Sequence, residues 1–278
     1  MSRIVSTGST LTTPEYRKKR VEARRRQATL LLSIFLALII LVVVVLRLDS
    51  LKIKEVKVVG TDALVGSKVE ESAREILSYY YLGFLPKSNV AIYPSGELER
   101  VLSKLFPRIS TINVELEGVS KLIITVSERK PLALYCEESE CYFLDDMGVI
   151  YDKAPSFSDG VYFIYRRWHD DRSPLGSEYV SYLEFRTLVE MIRDFKAMAL
   201  EVEVEPRELV LLNNQYTLTL STGATVVWPR SKDASKVVGD LKSFTLSPQI
   251  KSVEKFWLKV KSLDLRTANK VFYTFKDE

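Results

Sequence analysis

Residues able to do chemistry are sparse in this chain, and few stand at spacings that chemistry needs. Its two cysteines, Cys136 and Cys141, bracket Glu-Glu-Ser-Glu, with Leu134-Tyr135 before and Tyr142-Phe143 after. The flanks read as two short strands joined by a turn, which sets the thiols opposite each other within bridging reach. A disulfide in an oxidising compartment is the favoured reading, and two free thiols in a hairpin are the alternative. A metal centre needs more ligands than these two, and the single histidine, His169, is far away in sequence. His169 lies beside Asp170 with no marked nucleophile, so it reads as a solvated loop residue and not as a general base. Asp145-Asp146 is an adjacent carboxylate pair, yet successive strand residues face opposite ways. A turn role beside Gly148 fits it better than acid–base work. Glu128-Arg129 reads as a solvated strand end, with an interdomain ion pair as the sharper alternative. No glycine-rich phosphate loop and no zinc signature occurs. The residues therefore point away from an enzyme, a cofactor or a small-molecule substrate.

The elements that would position these residues begin at a membrane. Ala28 to Leu46 is an apolar run without one charge. At 1.5 Å per residue it is about 28 Å of helix, enough to cross a hydrocarbon core. No face of it is polar, which excludes an ordinary core helix, and no small-x-small cleavage site follows it. Residues 1–27 carry Arg3, Arg17, Lys18, Lys19, Arg20, Arg24, Arg25 and Arg26 against Glu15 and Glu22, a net of +6. The rest of the chain is nearly neutral, with 32 Lys/Arg against 34 Asp/Glu. A nucleic-acid partner would need a basic face on that folded part, and none is expected. The cations precede the span, so the chain reads as an uncleaved signal anchor of type II orientation: a basic cytoplasmic tail (1–27), a transmembrane helix (28–46), and everything later outside the cytoplasm.

The outer region reads as α+β. Glu55–Gly60 reads as a strand closed by glycine. Ser67–Glu70 reads as a capping box opening a helix with Val69, Ala73, Ile76, Leu77 and Tyr80 on its stripe. Ser95 caps a second helix, striped by Leu98, Val101, Leu102 and Leu105 and stopped by Pro107. Ile112/Val114/Leu116 and Leu122/Ile124/Val126 alternate as two strands about Glu117-Gly118. The order is β-α-α-β-β. Beyond it the chain is β-rich, with strands expected at 209–212, 216–220 (turning at Asn213-Asn214), 224–228, 256–260, 263–265 and 271–275. Two helical stripes interrupt them, Leu188/Met191/Ile192/Phe195 and Ala234/Val237/Val238/Leu241/Phe244. Phe157–Pro174 is expected to be a mobile loop.

A β-α-α-β-β unit directly after a signal anchor resembles the polypeptide-transport-associated (POTRA) domain. Val126-Ser-Glu-Arg-Lys-Pro131 resembles the closing "v-x-E-R-x-P" of that domain in the bacterial division proteins of the FtsQ/DivIB family. Phe143-Leu-Asp-Asp-Met-Gly-Val-Ile-Tyr151 is similar to the family's "l-v-D-x-x-G-x-v-f" hairpin. Leu263-Asp-Leu-Arg266 with Asn269-Lys-Val-Phe-Tyr273 is similar to its "i-D-L-R-x-x-n-x-v-x-v" strand pair. The resemblance implies a POTRA domain at 51–129 and an FtsQ-like β domain at 130–278. It also implies a bitopic divisome scaffold at the division septum that takes part in septation. A POTRA-bearing assembly factor of an envelope secretion system is the alternative of similar topology.

The last strand is where a partner is expected. Lys270, Val271, Phe272, Tyr273, Thr274 and Phe275 place aromatic or β-branched groups on both faces. From the residues alone, the strand either buries one face inside its own sheet or offers its edge to an incoming chain. The resemblance favours the second, since the family binds the small division protein FtsB through this region, and it implies FtsB/FtsL-like bitopic partners for the protein as a whole. For the anchor, the expected outcome is that a reporter fused to the C-terminus is active outside the cytoplasm; activity inside would reverse the orientation.

Overall fold

The computed structural model describes residues 14–62, 64, 66–138, 140–158, 160–167, 173–199, 203–268 and 270–276. The chain divides into two compact units. The first takes Met1–Val58, Ser67–Leu98 and Val114–Ile124, and the second takes Val59–Gly66, Glu99–Asn113 and Thr125–Glu278.

Helix α1 (Pro14–Leu46) contains the apolar run, and Arg20–Leu46 is long and apolar enough to cross a membrane, with a mean hydropathy of 3.3 over its best window. A single 3₁₀ turn at Asp49–Leu51 leads to β1 (Glu55–Val59). There follow α2 (Gly66–Ser78), a small hairpin of β2 (Tyr80–Tyr81) and β3 (Leu85–Pro86), α3 (Ser95–Leu105), β4 (Ile109–Glu117) and β5 (Lys121–Glu128). β1, β5 and β4 make a three-stranded sheet in that order. The expected β-α-α-β-β order is present, with β2–β3 added. Val69, Ala73, Ile76 and Leu77 are buried on α2 as their spacing requires. Three details differ. α2 starts at Gly66, so Ser67 stands inside its first turn. Tyr80 leaves the helix for β2. Leu105, at the frayed end of α3, is exposed while Leu98 and Leu102 are buried. Gly60 closes β1 at φ +86, and a Cβ there would stand 2.2 Å from the Val126 carbonyl oxygen, so only glycine fits.

The remaining strands are β6 (Ala133–Glu137), β7 (Glu140–Leu144), β8 (Ile150–Lys153), β9 (Ile164–Arg167), β10 (Pro206–Leu212), β11 (Gln215–Leu220), β12 (Thr225–Pro229), β13 (Val260–Asp264) and β14 (Phe272–Phe275). They form one nine-stranded sheet in the order β14-β13-β12-β11-β10-β9-β6-β7-β8. β9 runs parallel to both β6 and β10, and β12 runs parallel to β13. Parallel neighbours need long crossovers. β7 and β8 lie in the crossover between β6 and β9, α4 (Tyr182–Ala199) in that between β9 and β10, and α5 (Ala234–Thr245) and α6 (Val253–Lys259) in that between β12 and β13. Phe185, Leu188, Met191 and Phe195 of α4, Val237 and Leu241 of α5, and Phe256 and Trp257 of α6 share one core with Leu209, Leu218, Val226 and Trp228 of the sheet. Asn213 and Asn214 both take positive φ, 49 and 62, which is the two-residue turn that suits a hairpin's twist.

Two expectations fail in this region. Phe256–Val260 is not a strand. Ser252 caps α6 by accepting from the Lys255 N–H, and Val253, Phe256, Trp257 and Val260 follow at helical spacing. The segment Phe157–Pro174 is not simply a loop, because Ile164–Arg167 is β9, seated in the middle of the sheet. His169, Asp170 and Asp171 lie outside the described residues.

The solvated strand end expected at Glu128-Arg129 is also overturned. Glu128 is almost fully buried and receives Arg108 at 2.7 Å, together with the N–H groups of Asp62 and Leu64 at 2.7 and 2.9 Å. Arg129 pairs instead with Asp145, at 2.5 Å, and donates to the Pro107 carbonyl at 3.0 Å. Asp145, with only 3% of its side chain exposed, accepts the Met147 and Val149 N–H groups at 3.0 and 2.7 Å, which shapes the β7–β8 turn around Gly148. Arg108 also reaches Asp152 of β8, at 2.5 Å. All these residues belong to the second unit. Removing one partner of a buried pair strands the other charge. Asp145→Ala is therefore expected to cost about 3 kcal/mol in denaturant or thermal unfolding, and Asp145→Asn, which keeps the turn's acceptor, is expected to cost less.

Candidate functional site

β14 is one end of the nine-stranded sheet, paired on one side with β13 through Leu263↔Tyr273 and Asp264↔Phe272. Among the described residues nothing pairs with its other side. Phe272, Tyr273 and Phe275 are 55%, 40% and 50% exposed. Side chains alternate, so Tyr273 and Phe275 share one face and Phe272 and Thr274 the other. On the first face the Tyr273 ring lies tilted or edge-on to three others, with centroids 5.5 Å from Phe244 (α5), 5.7 Å from Phe256 (α6) and 5.4 Å from Phe275. These four rings make an aromatic platform, and Phe256 roots it in the core. On the other face the Thr274 and Ser262 hydroxyls meet at 2.7 Å.

The strand's hydrogen-bond phase follows from its C-terminal end. The Lys276 N–H donates to the Lys259 carbonyl at 2.9 Å, so position 276 points its backbone groups at the neighbouring chain. Alternation then turns the N–H groups of Thr274 and Phe272 inward to β13 and those of Tyr273 and Phe275 outward. The Lys276 ammonium holds the end by donating to the Thr222 and Leu258 carbonyls at 2.7 and 3.0 Å. Of the six residues expected in the site, Phe272–Phe275 form the strand. Val271 packs partly against the core, and Lys270 stands in the preceding turn. Asp264 and Arg266 of the "D-L-R" stretch form a local fork with contacts of 2.5 to 3.0 Å. Arg266 holds the Asp264 carboxyl below its usual pKa and fixes the bend that leads into β14.

The opposite edge of the sheet is handled differently. Ile150 of β8 exchanges backbone hydrogen bonds with Ser177 and Gly176 at 2.9 and 2.7 Å, and Val149 bridges Glu178. A short covering segment thus blunts that edge. Sequence reasoning missed the aromatic platform because Phe244 and Phe256 are distant in sequence from Tyr273. Only the helical reading of 253–260 would have placed Phe256 beneath the last strand.

Cys136 and Cys141 sit directly opposite each other on β6 and β7, with Cα atoms 4.1 Å apart and sulfurs 2.00 Å apart. The aromatic neighbourhood below them is buried. Desolvation raises the pKa of the buried Tyr165 and Tyr179 hydroxyls. Among the described residues no group of three or more His, Cys, Asp or Glu is placed to hold a metal ion.

One membrane-capable helix followed by mixed α+β structure and a large β-rich region is the architecture of FtsQ-like proteins. No family model matches the sequence. The chain is 26% identical over 242 residues to the "Cell division protein FtsQ" of Streptomyces bingchenggensis (strain BCW-1), covering 85% of this chain and 83% of that one. The similarity spans most of both chains and supports the FtsQ/DivIB assignment made from the motifs.

With Cys136 and Cys141 bridged, thiol labelling of the unfolded, unreduced protein is expected to find no free thiol. The closed loop is short, so the double Ser variant is expected to lose only about 2 kcal/mol of stability. Complete labelling of both cysteines would show ordinary hairpin residues.

Proposed function

We propose that this protein is a bitopic scaffold of bacterial cell division. In this reading it is held in the cytoplasmic membrane by α1, with its N-terminus in the cytoplasm, and residues 51–129 act as a POTRA domain and 130–278 as an FtsQ-like β domain outside. It binds FtsB/FtsL-like single-pass partners at the septum, and its work is binding and not catalysis. The similarity to a named cell division protein over most of the chain carries the division reading. The unpaired edge of β14 carries the partner site, because an exposed strand offers a row of donors and acceptors to an incoming strand. The aromatic platform at Tyr273 and Phe275 adds apolar area where such a strand would lie. The bridge between Cys136 and Cys141 fits an oxidising exterior.

Strand addition depends on outward backbone donors, and proline removes a donor without changing charge. Tyr273→Pro and Phe275→Pro are therefore expected to abolish capture of an FtsB-like partner while leaving the melting temperature within a few degrees of the parent. Phe272→Pro and Thr274→Pro break bonds to β13 and are expected to lower stability first. Truncation after Asn269 removes binding altogether. Intact binding after truncation would place the contact elsewhere.

A further inference from the structure

We infer that the tip of the β2–β3 hairpin, from Tyr79 to Phe84, is a lipid-contacting surface that beds into the outer headgroup region beside the end of α1. The inference rests on α1 crossing the membrane. Every residue it uses belongs to the first unit.

The hairpin is tied to the end of the span. Arg47, the residue after the last apolar position of α1, donates through Nε to the Phe84 carbonyl at 3.0 Å. The fully buried Asn89 donates through Nδ2 to the Leu46 carbonyl at 2.7 Å, which caps the helix end. The chain leaving α1 then pairs with the chain leaving the hairpin. The Val90 N–H meets the Leu51 carbonyl at 2.9 Å and the Ile53 N–H meets the Ser88 carbonyl at 2.7 Å, while the Lys87 N–H closes the base of the hairpin itself on the Tyr79 carbonyl at 3.0 Å. The hairpin is thus fixed within the reach of one arginine side chain of the point where the apolar run stops. That point lies at the boundary of hydrocarbon and headgroups.

Its composition fits that boundary and does not fit water. Tyr79, Tyr80, Leu82 and Phe84 are all exposed, and Leu82 at 87%. Leu82 and Gly83 form the turn with φ of 49 and 79, closed by the Phe84 N–H on the Tyr81 carbonyl at 3.1 Å. A left-handed position in a tight turn favours glycine, asparagine or aspartate. A leucine held there and aimed outward gains nothing in solvent, but gains burial in acyl chains. Tyrosine and phenylalanine at its flanks suit the headgroup level. Lys52 is already paired with Asp49 at 2.6 Å, and Arg47 and Lys54 supply cations for lipid phosphates in the same stretch. Lipid is the occupant because the anchor holds the tip against it, and a protein would first have to displace it.

The test uses the full chain in phosphatidylethanolamine/phosphatidylglycerol vesicles. A nitroxide is placed at Leu82→Cys or, as a span reference, at Ile34→Cys, each in a Cys136→Ser/Cys141→Ser background. Collisions with oxygen are compared with collisions with a nickel chelate, and labelled glutathione in buffer gives the water value. The expected ratio at position 82 is oxygen-favoured, between the Ile34 and buffer values. A buffer-like ratio at 82 with an apolar ratio at 34 overturns the inference and leaves the span standing. Buffer-like ratios at both overturn the span and the inference with it. A Leu82→Trp variant with both cysteines intact repeats the reading. Brominated lipid should quench it beyond the parent chain, and quenching equal to the parent's contradicts the proposal.

Discussion

A carboxylate taken out of water must meet its charge and its hydrogen bonds in the protein, and the second unit is organised around that requirement at Asp145. The residue accepts two backbone N–H groups and one guanidinium, so the β7–β8 turn and the segment at Arg129 hold one another in place. One residue earlier in the chain, Glu128 does the same for the backbone at Asp62 and Leu64 and for Arg108. Arg108 then reaches on to Asp152 and lies over the Tyr151 ring. Burial pushes the Tyr151 hydroxyl pKa up to about 12, so the phenol stays neutral beside these charges. Such pairs contribute less to net stability than to fixing a single arrangement, since each partner is costly only when the other is missing. This fixed corner is the start of the sheet whose far end is β14.

That sheet leaves its two edges in opposite states. β8 is met at Ile150 by the chain around Gly176–Glu178, whereas among the described residues nothing pairs with the outward backbone groups of Tyr273 and Phe275 on β14, and an aromatic platform lies beside them. An uncovered edge of this kind is an aggregation hazard that proteins normally suppress with charge, bulges or proline. Its persistence is understandable when a partner strand covers it in the working assembly, as the division reading requires. The ring contacts from α5 and α6 hold Tyr273 in place on this edge, which is the kind of preorganisation that lowers the ordering cost of binding.

Much of the fold was legible in the sequence because amphipathic spacing reports local burial directly. The stripes of α2, α4 and α5, the alternation in β4 and β5 and the Asn213-Asn214 turn are of that kind. Phe256–Val260 was misread because a short apolar run satisfies both periods. The decisive signal, Ser252 as a cap, lies outside the run. β9 was hidden because its four residues, two of them arginine, sit in a segment that opens with Asp159-Gly160 and closes with Ser173-Pro174, both turn signals. Glu128 and Arg129 looked solvated because their partners, Arg108 and Asp145, are set by tertiary structure and not by spacing. The candidate site was half legible. Residues 272–275 were named from their composition, but the edge itself and the platform from Phe244 and Phe256 depend on strand order, which no local pattern encodes.

The most direct test of the division account is to follow a fluorescent fusion of the full chain through the cell cycle. The account predicts recruitment to midcell before constriction, and loss of partner recruitment there when the chain is cut after Asn269. Uniform envelope fluorescence at every stage of the cycle would contradict it.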